Sequence, residues 1–371
     1  MDLLSATIAG SVAAVATLAC TPLAARLAKA LDIVDRPSAR KVSDRQGIPL
    51  LGGLAVVAGV MAGLASFRWF AGANGYGEIS EQVSAFVAGG VLLVLVGAWD
   101  DRFELGAWQK IPFQLLAAAI AIDGGFVIDY FTNPFSLVTH TLPIGISWVI
   151  TIAWIILVTN AMNLIDGLDG LTTGTGLIIS GTLGIICFQA GQPAGVVIAL
   201  IMLGSLAGFL PYNFPPARIF LGDAGALFIG YALALISIQG YRKAALLTFI
   251  VPLLSLAVPL LDTASSIWRR WRSGKGIFSA DKGHIHHLVL AREGSHRRAV
   301  LWLYFQTLCF SVIALSFSQL KGYSAYIFLL AVVLLTVRLL RNIGALGVGI
   351  QGSESAGDGG GQKRSLEEEE K

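Results

Sequence analysis

Charged side chains are scarce in this sequence. Asp, Glu, Lys and Arg make up 13% of its 371 residues, where a soluble domain carries about a quarter. Even a large soluble domain keeps a charged exterior, so the deficit excludes a water-soluble globule and points to a surface solvated mostly by lipid. Cysteine is sparse too. Cys20, Cys187 and Cys309 lie far apart in apolar runs, which excludes a disulfide framework and a cysteine-based zinc cage. The net charge of +3 is too small to indicate a nucleic-acid partner. No basic residues precede the first apolar run, which has only Asp2 ahead of it. That run continues for about 20 residues, long for a signal peptide and long enough to span a bilayer. It is expected to be a first transmembrane helix rather than a cleaved leader. No internal repeat is evident, which argues against an inverted-repeat transporter.

Apolar residues fill the space that charge leaves. They make up 55% of the chain, and 43 glycines suit close helix packing in a membrane. Spanning-length runs recur near 4–25, 50–71, 83–99, 108–125, 143–164, 171–190, 194–211, 224–239, 243–268, 299–319 and 323–341. The expected fold is therefore all-α and polytopic, with about eleven transmembrane helices. Residues 1–345 are expected to form a single transmembrane domain, and 346–371, Gly/Ser-rich and then acidic, a disordered tail. Lys and Arg set the orientation. With the N-terminus outside, nineteen of them fall on cytoplasmic segments and four outside. The segments 26–49, 100–110, 212–223 and 269–298 then form one cytoplasmic face, and the C-terminus is cytoplasmic.

Polar residues at membrane helix ends are costly unless they function, and this topology gathers them on that face. Asp100 and Asp101 close the third run in GAWDDRFEL. Asn163, Asp166 and Asp169 sit in NAMNLIDGLDG at the end of the fifth, at a three-residue spacing that shares one helix face while helical geometry lasts. Asp223 sits in FLGDAGA where a helix begins, next to backbone N–H groups that suit a phosphate. His284, His286 and His287 sit in DKGHIHH. Carboxylates with substrate phosphates are the usual magnesium setting. Plainer readings exist for each: a solvated helix end, a polar turn, an N-cap for Asp223, a solvated loop for the histidines. Asp262, a lone carboxylate in the ninth run, has no assigned role. Asp123, Asp129 and His140 fall outside and carry no chemistry.

Taken in order, DRPSARKVSDRQGIPLLGG, DDRFE, NAMNLIDGLDGL, FLGDAGA and HIHH resemble the polyprenyl-phosphate N-acetylhexosamine-1-phosphate transferase superfamily over about residues 32–298. Eleven helices and a His-x-His-His cluster look more like its bacterial GlcNAc-1-phosphate branch. The chain departs from the pattern at Glu104 for a third Asp, Ser43 for a His, Lys282 for an Arg and Ala226 for a Ser.

The resemblance implies a multi-pass enzyme of the bacterial inner membrane, with its site on the cytoplasmic side. It would join a UDP-HexNAc to undecaprenyl phosphate and release UMP, initiating a lipid-linked cell-envelope glycan. The implied cofactor is magnesium, with manganese as alternative, held by Asp223 and Asp166. Asp100 and Asp101 would face the lipid phosphate, one as base. Asn163 would line the site and Asp169 contact the nucleotide. Lys41, Lys110, His284, His286 and His287 would offset phosphate or sugar charge. A homodimer is left open. Alternatives are another UDP-sugar (UDP-MurNAc-pentapeptide or a deoxy-amino sugar), a secondary transporter, and a lipid phosphatase built on the histidines.

Overall fold

The computed structural model describes residues 3–35, 47–77, 79–132, 139–241, 250–272, 274, 284–317, 323–343 and 345. They form thirteen helices: α1 (Leu3–Ala30), α2 (Gly52–Gly77), α3 (Ser80–Phe103), α4 (Ala107–Asp123), α5 (Ile144–Leu164), α6 (Leu171–Gln189), α7 (Pro193–Asn213), α8 (Gly222–Tyr241), α9 (Ile250–Ser255), α10 (Ala257–Arg272), α11 (Ile285–Glu293), α12 (His296–Phe317) and α13 (Tyr323–Ile343). Eight of them, α1, α2 to Gly72, α3, α5, α6, α7, α8 and α12, are long and apolar enough to cross a membrane. The protein is thus polytopic and nearly all helical. The tail 346–371 and Lys41 lie outside the described residues.

Three expectations need correction. The ninth apolar run is not one helix: it breaks at Leu256 between α9 and α10. Pro259, four residues past Ser255, has no N–H to continue the ladder there. Nor is the chain purely helical, since Tyr130–Thr132 pairs antiparallel with Thr139–Thr141, Phe131 opposite His140. These are β-branched and aromatic residues that favour strands. The basic segment 269–298 is not all loop either, because α11 lies within it.

Helix α8 is the axis of the bundle. Within its membrane window 94% of residues are buried, against 33% for α1. It packs on α2, α3, α5, α6 and α7, so it has almost no lipid-facing side. Lipid is as apolar as leucine, so helices here are held by close packing and by interhelical hydrogen bonds. Both occur. Trp154 Nε1 on α5 donates to Ser237 Oγ on α8 at 2.9 Å. On the α1–α2–α7 side, Thr17 and Ser205 pair their hydroxyls at 2.8 Å, and Ser205 Oγ donates to the Val56 carbonyl at 2.7 Å.

The approach of α3 to α8 places the site. A Cβ at Gly97 would lie 2.4 Å from Ala224 Cα and 2.4 Å from its nitrogen, so only glycine permits this crossing. Asp101, one turn further on, is thereby brought against the start of α8. Gly97→Ala is expected to destabilise the protein by about 1–3 kcal/mol through overpacking, seen as a lower melting temperature in detergent. An unchanged melting temperature would contradict the close approach.

Candidate active site

The first group of polar residues forms where α3 ends, α4 begins and α8 begins. Helix α3 closes at Glu104, whose backbone is left-handed (φ 52°, ψ 67°) and whose N–H returns to the Asp100 carbonyl at 2.9 Å. That turn folds Leu105 back, so its N–H donates to Asp100 Oδ1 at 2.5 Å. Glu104 itself, the variant third acid, is exposed. Lys110, on the first turn of α4, lies between two carboxylates. Its Nζ touches Asp100 Oδ2 and donates to Asp223 Oδ2 at 2.6 Å. Asp100 is 6% exposed, Lys110 12% and Asp223 33%. Lys110 thus faces two carboxylates, and Asp101 lies against the Asp223 backbone beside them, an excess of negative charge that favours a further cation.

Asp101 has a different place from Asp100. Its Oδ1 accepts the Asp223 N–H at 2.8 Å and its Oδ2 the Ala224 N–H at 3.3 Å. The first N–H groups of a helix have no partner within it, and a carboxylate there also suits the helix dipole. Asp101 thus caps α8 from another helix, which leaves the Asp223 side chain for other contacts. The plain N-cap reading of Asp223 is replaced by this arrangement. Gly222, first residue of α8, makes the tight entry possible. Its φ is 73°, and a Cβ there would meet the Leu50 carbonyl oxygen at 2.2 Å and Asp101 Oδ2 at 2.6 Å. Asp101→Ala is expected to lose about 1–3 kcal/mol, the cost of stranding buried donors, while Asp101→Asn keeps an acceptor and most of the stability. If Asp101 were instead the base, both variants would retain stability and lose turnover equally.

The second group lies in the link from α5 to α6. Here the expected shared helix face does not hold. Asn163 is on the last helical turn, while Asp166 and Asp169 fall in the turns that follow. The ladder ends because Gly167 N–H bonds to the Ile165 carbonyl at 2.7 Å and Gly170 is left-handed (φ 74°). Asp169 Oδ2 accepts the Ala217 N–H at 2.9 Å, tying this turn to the segment between α7 and α8. Tyr304 on α12 holds it from another side, donating to the Gly170 carbonyl at 2.5 Å. Asn163 Oδ1 is buried without a hydrogen-bond partner, an orphan acceptor of the type a hard cation takes up.

The two groups are connected. Gln114 and Asn160 exchange amide hydrogen bonds at 3.2 and 2.8 Å between α4 and α5. Lys110 lies one turn from Gln114, and Asn163 one turn from Asn160, so the pair sets both on one flank. The histidines form the third group. His284 and His286 are buried and His287 is half-buried. A Cβ at Gly167 would come within 2.3 Å of His286 Nε2, so this ring rests on the turn between Asp166 and Asp169. Sequence reasoning gave no role to Gln114, Asn160 or Tyr304: Gln114 and Tyr304 occur in apolar helices without a motif, and Asn160 opens NAMNLIDGLDG with nothing in the spacing to show its partner.

All three groups lie at the same end of the bundle, away from the β-hairpin at the other ends of α4 and α5. The profile of glycosyl transferase family 4 matches residues 83–241, from α3 through α8. A Bacillus subtilis protein named "Probable undecaprenyl-phosphate N-acetylglucosaminyl 1-phosphate transferase" is 36% identical over 300 residues, 80% of this chain and 81% of its own. A Mycobacterium tuberculosis decaprenyl-phosphate N-acetylglucosaminephosphotransferase is 34% identical over 80% of this chain and 78% of its own. An Escherichia coli undecaprenyl-phosphate alpha-N-acetylglucosaminyl 1-phosphate transferase is 27% identical over 82% and 80%. With relatives of this likeness spanning four-fifths of both lengths, and with every acidic motif of the first two groups inside the matched region, the chain belongs to glycosyl transferase family 4, in its bacterial polyprenyl-phosphate GlcNAc-1-phosphate transferase branch.

Proposed function

We propose that this protein transfers GlcNAc-1-phosphate from UDP-GlcNAc to undecaprenyl phosphate and releases UMP, beginning a lipid-linked cell-envelope glycan. The observation that carries this reading is the meeting of Asp100, Lys110 and Asp223 at one end of an apolar bundle, in a chain whose relatives bear that transferase name. An oxygen of the lipid phosphate forms a bond to the β-phosphorus of the UDP-sugar as the bond to the bridging oxygen breaks, and UMP leaves. The acceptor's second pKa is about 6, so at neutral pH it arrives mostly dianionic. The barrier is then largely one of bringing two anions together in line, which positioning and charge compensation lower.

The residues divide that task. Lys110 offsets phosphate charge at the point where α4 meets α8. Asp100 holds Lys110 there, and Asp101 holds the start of α8. His284, His286 and His287 bind the sugar or its phosphates, and Asp169 fixes the turn that carries Asp166. The oxygen donors Asp223 and Asp166, with the orphan Asn163 Oδ1 three residues before Asp166, fit magnesium. Bound there, magnesium would supply charge neutralisation to the diphosphate. The Lys/Arg distribution supports eleven spans, an outside N-terminus, a cytoplasmic C-terminus and a site on the cytoplasmic side of the inner membrane.

The test is an assay of the purified protein with undecaprenyl phosphate, magnesium and a panel of UDP-sugars, scored by UMP. UMP formed only with acceptor, with UDP-GlcNAc preferred and with loss on chelation, is the expected result. Release of inorganic phosphate without any need for UDP-sugar would overturn it.

A further inference from the structure

Asp262 is a carboxylate in the otherwise apolar or small-residue stretch VPLLDTASS of α10, and none of the roles above uses it. It is 1% exposed. Both its oxygens are engaged by the start of α11. Oδ1 accepts the backbone N–H of Ile285 at 2.5 Å, and Oδ2 pairs with His284 Nδ1 at 2.9 Å. A carboxylate accepts, so Nδ1 of His284 carries the hydrogen, and any contact of His284 with substrate is through Nε2. His286 Nδ1 lies 3.8 Å from the same oxygen, buried and with no hydrogen-bond partner. The His284 and His286 rings stack at 5.4 Å, and His286 lies 4.2 Å from His287. Beyond the stack, His286 Nε2 rests on Gly167.

A nine-residue helix such as α11 is too short to hold its own shape. Its first N–H needs an outside acceptor, and Asp262 supplies one across a gap of 23 residues. We infer that Asp262 is a positioning residue. Through Ile285 and His284 it sets the start of α11, and so seats His286 and His287 against the Asp166–Asp169 turn to receive the UDP-sugar. The inference rests on the functional reading above and assigns the carboxylate that the reading left unused. Asp, His and His are also a divalent-metal donor set, and the three ligand atoms lie within 4.8 Å of one another. Because protein donors already occupy both Asp262 oxygens, the hydrogen-bonded arrangement is favoured.

The test uses the full chain in one lipid preparation, with separate KM values for UDP-GlcNAc and undecaprenyl phosphate. Asp262→Ala is expected to raise the KM for UDP-GlcNAc about tenfold, the equivalent of one lost charged hydrogen bond, with the lipid KM unchanged. Asp262→Asn, which keeps an oxygen for Ile285, should fall between. His284→Ala should raise the same KM, and adding Asp262→Ala to it should change little more. Gly167→Ala, which displaces His286 from the opposite side, should shift the same KM. A merely structural carboxylate would lower the yield of active protein without favouring one substrate. The inference is overturned if Asp262→Ala melts like wild type and binds UDP-GlcNAc unchanged, if both KM values rise equally, or if zinc copurifies stoichiometrically and is lost in Asp262→Asn. Should Asp262→Ala fail to fold, normal UDP-GlcNAc KM values in both His284→Ala and Gly167→Ala overturn it. A wild type that makes no UMP from UDP-GlcNAc defeats the functional reading and this one together; an active wild type with insensitive variants defeats this one alone.

Discussion

Asp223→Asn is expected to lower turnover by about a thousandfold, the scale of removing one preorganised charged group from a reacting centre, while Asp100→Asn loses far less. The reason is placement. Of the three carboxylates where α3 meets α8, Asp101 caps α8 with both oxygens. Asp100 is buried, with one oxygen on Leu105 N–H and the other on Lys110. Asp223, at 33% exposure, presents the most surface to an incoming substrate. Loss of a general base also matters less for an acceptor that is already dianionic near neutral pH. Steady-state rates of the two variants in one lipid preparation decide the question. A dead Asp100→Asn beside an active Asp223→Asn would overturn the assignment.

Lys110→Met is expected to be the most destabilising change at the site. Methionine keeps the apolar stem but leaves Asp100 and Asp223 facing each other without the ammonium between them. Breaking a buried ion pair by removing one partner costs about 3–5 kcal/mol, and partial exposure of Asp223 puts this case at the lower end. The companion measurement is a double variant. Lys110→Met with Asp100→Asn removes the stranded charge as well, so its melting temperature should recover toward wild type. Strict additivity of the two single effects would show that the pair is not coupled.

Much of this site can be read in one dimension, for identifiable reasons. Asp100, Asp101, Asn163, Asp166 and Asp223 stand out because a carboxylate or carboxamide at the end of an apolar run is expensive, and cost without a role is rare. The His284–His287 cluster stands out by its density. Gln114 does not, and Asn160 stands in a motif that does not show its role, since each amide's function depends on its partner 46 residues away. Asp262 shows the intermediate case: its position is conspicuous, but its role depends on His284 and Ile285, which follow it after the end of α10. Lys110 was expected to meet phosphate, and its contacts with Asp100 and Asp223 add a second duty that spacing alone cannot reveal.

Hydropathy was enough to settle a polytopic, largely helical membrane protein, because lipid demands a long apolar run of every spanning helix. The family and its reaction class were likewise legible, since each motif is local. Which carboxylate does what was decided in three dimensions. Asp100 and Asp101 are neighbours in the chain, yet the turn at Glu104 gives one to Lys110, and the glycine contact at Gly97 gives the other to the start of α8. Adjacent side chains on a helix point about 100° apart, so packing against two different partners gives them two different functions.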